Sequence, residues 1–356
     1  GKQITASGLQ RKDFQTEVNG QHTDLFTLSN KQGMEVCITN YGARVVSILV
    51  PDRNGKREDV VCGFSTITEY MEQRQNFGST VGRYIGRILN ARFTLDGVEY
   101  KLVPNNGKSG HISHGGNPGF ADRIWKVEQA DTHRVRLSYL SPDGENGFPG
   151  NLKVTLVYSL GEDDNALDLT YEATTDAPTV LNLSHHSFFN ISGNFTKSVE
   201  DQQLWVDADR FTPYDDKKCV TGEYLPVAGT PLDFRMPHTI GECIDADHPQ
   251  LKVVNGYDHT WELNTKGDDT RPAAWVYDPA SGRKMEIFTT EPGMQIYTGN
   301  GLKGKMTGKG GIAYPFRSAV CFETMHFQDS PNQPGFPSTV LRPGEVFRSH
   351  TVYKFE

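Results

Sequence analysis

Three short stretches of the 356-residue chain carry side chains suited to acid–base chemistry. His111-Ile112-Ser113-His114-Gly115-Gly116 sets two glycines behind a histidine, which lets a ligand or a neighbouring backbone approach closely. Asn182-Leu183-Ser184-His185-His186-Ser187-Phe188-Phe189-Asn190 is polar and flanked by aromatics. Consecutive strand side chains point to opposite faces, so only one of His185 and His186 can face a given site. Ala319-Val320-Cys321-Phe322-Glu323-Thr324 holds a carboxylate in a run that otherwise reads as buried. A buried glutamate is rare unless paired or functional.

Each stretch also has an ordinary structural explanation. A histidine can serve as a core hydrogen-bonding group, and Glu323 can be half of a structural ion pair. His111 and His114 could share a metal, but no third ligand is recognisable, so no metal site is assigned. Asp245-Ala246-Asp247-His248 reads as a solvated polar turn. Spacing alone leads to a β domain with a polar cleft and no further.

Other chemistries lose weight. The chain has no G-x-S-x-G elbow, no H-E-x-x-H and no G-x-x-x-x-G-K-[ST] phosphate loop. Its net charge of −8 is interspersed without a Lys/Arg block, which argues against nucleic acid as a partner. No apolar run reaches the length of a membrane span, so the chain reads as soluble. Cys37, Cys62, Cys219, Cys243 and Cys321 are scattered and odd in number, and indicate neither a zinc site nor a disulfide framework. Gly1-Lys2-Gln3 lacks an initiator methionine. Gly1 resembles a tag remnant, and trimming of an export signal points to a periplasmic or extracytoplasmic protein, with cytoplasmic as the alternative.

The elements that must position these groups are strands. Glu35–Asn40 and Arg44–Val50 flank Tyr41-Gly42, and the pairs Phe93/Leu95 and Tyr100/Leu102 alternate around Asp96-Gly97, a type I′ hairpin signal. Period-2 alternation continues at Val135/Leu137/Tyr139, Leu152/Val154/Leu156/Tyr158 and Leu167/Leu169/Tyr171/Ala173. Trp275–Tyr277 and Met285–Phe288 form another hairpin, and 351–355 is a closing strand. Helical pattern is scarce, with Thr68–Gln75 the one short candidate. No linker or compositional shift marks a boundary, so residues 1–356 are expected to form a single all-β domain of two packed sheets or a more elaborate sandwich.

With these residues in view, the chain resembles the aldose 1-epimerase (galactose mutarotase) family along nearly its whole length. The matching pieces run in order: Asn40-Tyr41-Gly42-Ala43; Phe77-Gly78-Ser79-Thr80-Val81-Gly82-Arg83-Tyr84-Ile85-Gly86-Arg87-Ile88; Phe93-Thr94-Leu95-Asp96-Gly97; His114-Gly115-Gly116; and the 182–190 stretch. Then come Gly256-Tyr257-Asp258-His259, Pro292-Gly293-Met294-Gln295-Ile296-Tyr297-Thr298-Gly299-Asn300, Phe322-Glu323-Thr324, and Asp329-Ser330-Pro331-Asn332-Gln333-Pro334 with Phe336-Pro337-Ser338 behind it. Each piece alone is weak, and the ordered set is specific. The resemblance implies a large antiparallel β-supersandwich with few short helices. It also implies interconversion of the α and β anomers of free aldohexoses such as glucose or galactose. By motif, Glu323 matches the general base, His186 the general acid and His114 a second histidine near the ring oxygen. Arg87, Asp258 and Gln295 match the residues that hold sugar hydroxyls.

Two departures bear on the site. The family pattern G-R-x-x-N-R has asparagine where this chain has Gly86, and the stretch between Asn106 and His114 is lengthened, which leaves His111 as a rival to His114. On this reading Glu323 rests ionised and His186 protonated, Phe188 or Tyr297 offers an apolar face, and no cofactor is required. A structural divalent cation remains compatible with the surface carboxylates. The expected partner is a free monosaccharide, and the expected state a monomer or weak dimer. The rivals are a glycoside hydrolase pairing Glu323 with Asp258, a hexose-6-phosphate epimerase with added basic residues near Arg83 and Arg87, and a sugar-binding protein without catalysis.

Overall fold

A computed structural model describes residues 3–356; Gly1, read above as a tag remnant, lies outside the described residues. The alternating segments form strands as expected. Arg92–Leu95 and Val98–Lys101 pair across Asp96 and Gly97, whose φ values of 52° and 78° are the two left-handed positions a type I′ turn requires. The helix expected at Thr68–Gln75 spans Ile67–Gln73. Thr66 caps it by accepting the Glu69 N–H at 3.2 Å, and Arg74 ends it in a left-handed conformation. A second helix, Pro249–Val254, has no counterpart in the sequence reading. The polar turn before it supplies its cap, with His248 Nδ1 accepting from Gln250 N–H and proline in the first turn.

Three antiparallel sheets carry the architecture. Nine strands make the largest, in the order Lys126–Ala130, Arg134–Ser141, Leu152–Leu160, Asn165–Thr175, Phe347–Phe355, Lys284–Thr289, Ala274–Tyr277, Gln203–Val206 and His238–Thr239. The C-terminal strand thus sits at the centre, between segments far from it in sequence. The six-stranded sheet runs Phe188–Phe189, Val320–Met325, Gly293–Tyr297, Asp258–Glu262, Arg210–Thr212 and Leu225–Pro226. Leu25–Ser29, Glu35–Thr39, Arg44–Pro51 and Arg57–Asp59 form a four-stranded sheet. One apolar cluster draws on all three, joining Val36 and Ile38, Leu156 and Tyr353, and Met294 and Phe322. Among the described residues no helix is long and apolar enough to cross a membrane.

On the outer face of the nine-stranded sheet His350 stands between two carboxylates, Nδ1 at 2.7 Å from Asp269 and Nε2 at 2.6 Å from Asp168. Both contacts favour the imidazolium, and the Asp168 hydrogen bond does most to raise its pKa from 6.5 to about 9. A histidine with a raised folded pKa stabilises the fold fully below its ordinary pKa of 6.5, and that contribution fades as pH climbs through 9. His350→Gln is therefore expected to lower the melting temperature by about 1–3 °C at pH 6 and not at pH 10. A deficit that grew with pH would contradict this.

Candidate active site

Strand Val320–Met325 is buried along its whole length because both of its faces are covered. Phe322 and Thr324 point to the nine-stranded sheet, where the Tyr353 hydroxyl donates to Phe322 C=O at 2.7 Å and Thr324 Oγ1 meets Thr351 Oγ1 at 2.7 Å. Burial of a side chain such as Phe322 stabilises by about 1.5–3 kcal/mol, which helps offset the cost of the carboxylate on the other face. Alternation then sends Glu323 and Met325 into a cleft of about 650 Å³. The register continues the row: Gln295 pairs with Glu323, Thr260 with Gln295, and Asp258 with Tyr297. The side chains that line the cleft are thus neighbours across strands.

The histidines arrive from another direction. Ser184–His186 pairs with Ser79–Val81, and Ser184 Oγ donates to Thr324 C=O at 2.7 Å, fastening this segment beside the glutamate strand. His185 turns inward, with Nε2 2.5 Å from Ser187 Oγ and its ring against Tyr158. His186 takes the opposite face and brings Nε2 to 3.3 Å from Glu323 Oε1. Its ring stacks on Phe188, with centroids 5.1 Å apart and planes 21° from parallel. Phe188 therefore orients the imidazole as well as lining the cleft.

His114 completes the group with its ring edge-on to His186 at 5.4 Å. It has a left-handed backbone, φ 51°, followed by Gly115 at φ 78°, where a Cβ would fall 2.0 Å from Gly82 C=O. Glycine is thus obligatory behind this histidine. The Gly86 N–H donates to His114 Nδ1 at 3.1 Å, so the ring proton of the neutral form sits on Nε2. His111, the rival, faces elsewhere: Nδ1 accepts from Asn90 N–H at 2.8 Å and Nε2 lies 3.4 Å from Cys219 Sγ. The two histidines do not converge on a shared metal.

Burial dominates the electrostatics. It pushes Glu323 well above the carboxylate range, aided by the nearby Asp258 charge, and holds His186 well below its ordinary value, with His114 adding to the effect. Burial thus pushes both groups toward their neutral forms, against the ion pair that their 3.3 Å approach favours. The neutral pair and the ion pair hold the same number of protons and differ only in which of the two groups, 3.3 Å apart, carries one of them. Burial and Arg87 lower His114 to about 4, which keeps it neutral. Burial raises Asp258 to about 6 against the opposing pull of its Gln295 hydrogen bond and Arg87.

Arg87, Asp258 and Gln295 all line the cleft. Gln295 Nε2 donates to Asp258 Oδ1 at 2.8 Å, and Arg87 Nη1 donates to Lys218 C=O at 2.8 Å. Arg83 does not take part. Its guanidinium is buried and spent on Ser141, Pro142, Pro149, Gly150 and Thr179. Sequence reasoning missed Tyr214 and Gln328, which join the wall through bonds to Gln295. Gln328 follows the Glu323 motif by a few residues, a faint signal; Tyr214 lies in a polar loop and gave none.

Fold and cleft together define a β-sandwich whose polar cleft brings Glu323 and His186 together among Arg87, Asp258 and Gln295. The family model described as Aldose 1-epimerase matches residues 24–354. The galactose mutarotase of Sus scrofa is 39% identical over 330 residues, covering 93% of each chain. The aldose 1-epimerase of Escherichia coli K12 is 36% identical, over 95% of this chain and 96% of its own. An aldose epimerase homologue from C. elegans superposes with a TM-score of 0.84 at 30% identity, over 94% of this chain and 99% of that one. The chain belongs to the aldose 1-epimerase family, whose members are carbohydrate isomerases.

Proposed function

We propose that the cleft interconverts the α and β anomers of a free aldohexose such as galactose or glucose, with Glu323 as general base and His186 as general acid. The observation that carries this reading is the 3.3 Å approach of Glu323 Oε1 to His186 Nε2 inside a polar cleft. A hemiacetal carbon bears two oxygens on one atom, and a base and an acid this close can serve both. Glu323 takes the proton from the C1 hydroxyl, the C1–O5 bond breaks, and its electron pair leaves on O5, which accepts a proton from His186. Rotation about C1–C2 and reversal of both transfers closes the ring on the other face. The charged form of the pair is the productive one. Hydrogen bonds from O1–H to the carboxylate and from the imidazolium to O5 favour it, because charge-assisted bonds are the stronger kind. The protons balance between side chains and sugar, so the proposal calls for no cofactor.

Arg87, Asp258 and Gln295 are assigned to the ring hydroxyls. The spent guanidinium of Arg83 removes one of the two arginines that a phosphorylated sugar would call on. The test is polarimetric: the protein should speed the rotation change of freshly dissolved α-D-galactose or α-D-glucose. Binding without acceleration would favour a sugar-binding protein, and cleavage of aryl glycosides without mutarotation a hydrolase.

His114 is assigned to orientation. With its proton on Nε2 and its pKa near 4, it donates a hydrogen bond and does not titrate in the working range. His114→Ala is expected to lower kcat/KM by about tenfold while both pH–rate limbs persist, the limbs of the pair shifting only as far as the loss of the His114 ring beside His186 allows. Disappearance of a limb would mean that His114 itself carries a catalytic proton.

A further inference from the structure

Gly86 and Gln328 fit together in the cleft wall in a way that the assigned residues do not explain. Gly86 has φ +80°, and a Cβ there would fall 2.7 Å from Gln328 Cγ and 3.2 Å from its Cδ. Any side chain at 86 would therefore displace the middle of the glutamine. Gln328 is held from three sides: its Oε1 accepts from Arg87 N–H at 3.2 Å, and its Nε2 lies 2.9 Å from Tyr214 Oη and 3.4 Å from Gln295 Oε1. The flanking backbone is fixed as well. Asp329 N–H donates to Arg87 C=O at 2.8 Å, and Asp329 Oδ1 accepts from Leu89 N–H at 2.9 Å. A carboxamide only 7% exposed, facing the cleft and joined to Arg87 and Gln295, stands among the groups assigned to the sugar.

We infer that Gln328 is a substrate-contacting, specificity-determining residue of this enzyme, and that the absence of a side chain at Gly86 is what admits it. The inference rests on the mutarotase reading. Both Nε2 hydrogens are engaged by Tyr214 and Gln295 and one lone pair of Oε1 by Arg87 N–H, so Gln328 offers the sugar the second lone pair of Oε1, an acceptor fixed in place that only a suitably oriented hydroxyl can reach.

The experiment compares wild type with Gln328→Ala, Gln328→Met, Gly86→Asn and the Gly86→Asn/Gln328→Ala double variant. Polarimetry gives kcat and KM for D-glucose and D-galactose, and calorimetry gives the affinity for each sugar. Asparagine is chosen because it tolerates a left-handed backbone. Loss of one substrate hydrogen bond should raise KM about fivefold in both Gln328 single variants, leave kcat within about twofold, and shift the galactose-to-glucose ratio of kcat/KM at least about threefold. Gly86→Asn should be the most impaired, and truncating Gln328 in that background should restore activity rather than reduce it further. Methionine preserves the length and packing of the side chain without its amide, so a role confined to packing predicts wild-type KM and sugar ratio for Gln328→Met. That result would overturn the inference, as would a double variant no better than Gly86→Asn. A wild-type protein without mutarotation would instead remove the catalytic reading, while the calorimetric affinities would still decide the role of Gln328.

Discussion

Replacing Glu323 with glutamine is expected to slow enzymatic mutarotation by about 10²–10⁴-fold, the usual contribution of one positioned proton transfer. Glutamine keeps the shape and a hydrogen-bonding oxygen, but it cannot take the proton of the C1 hydroxyl. The fold should survive, because the strand is anchored through its other face by the Tyr353 bond to Phe322 and the Thr324–Thr351 contact. Removing a carboxyl that burial already opposes leaves the melting temperature unchanged or higher. Sugar affinity should remain within about threefold, since Arg87, Asp258 and Gln295 are untouched. The measurement is the decay of optical rotation of α-D-galactose, corrected for the spontaneous reaction in water, alongside calorimetric binding. Activity within threefold of wild type would exclude Glu323 as the base.

The second large effect is expected at His186. His186→Phe retains a planar ring in the stack with Phe188 but supplies no proton to O5, and kcat should fall about 10²-fold or more. The pH dependence gives a sharper signature. The active pair holds one proton, so the wild-type rate falls both when a second is added and when the last is lost, and both limbs belong to the pair. Without His186 the residual rate depends on the carboxylate alone. It should rise with pH through the raised titration of Glu323 and then stay level. A residual bell-shaped profile would show that another group donates to the ring oxygen.

Much of this is legible in the amino-acid sequence. Strand alternation at Leu152, Val154, Leu156 and Tyr158 and at Leu167, Leu169, Tyr171 and Ala173 reports burial on one face, and these residues are buried as expected, with Ala166 buried on the other face as well. Asp96-Gly97 specified its turn because few residue pairs adopt two consecutive positive φ angles. The helix at Pro249–Val254 was missed because six residues show too little of a 3.6-residue period, and its cap read as a loop. A carboxylate in an apolar strand marked Glu323 as exceptional, since desolvating a charge is costly wherever the strand ends up.

Local sequence also required that His185 and His186 face opposite ways, as strand geometry demands of any adjacent pair. Only tertiary structure decided which one enters the cleft, because that depends on the segment docking against Ser79–Val81 and Thr324. Strand order did the rest: it brought Glu323, Gln295 and Asp258 into adjacent rows and set His114 across from them. It also set the direction in which burial pushes both groups of the acid–base pair, since burial is a property of the assembled cleft and of no segment alone. Backbone period and solvation act within a few residues and are written into the chain. Convergence of distant strands arises from the packing of whole sheets, and no local window encodes it.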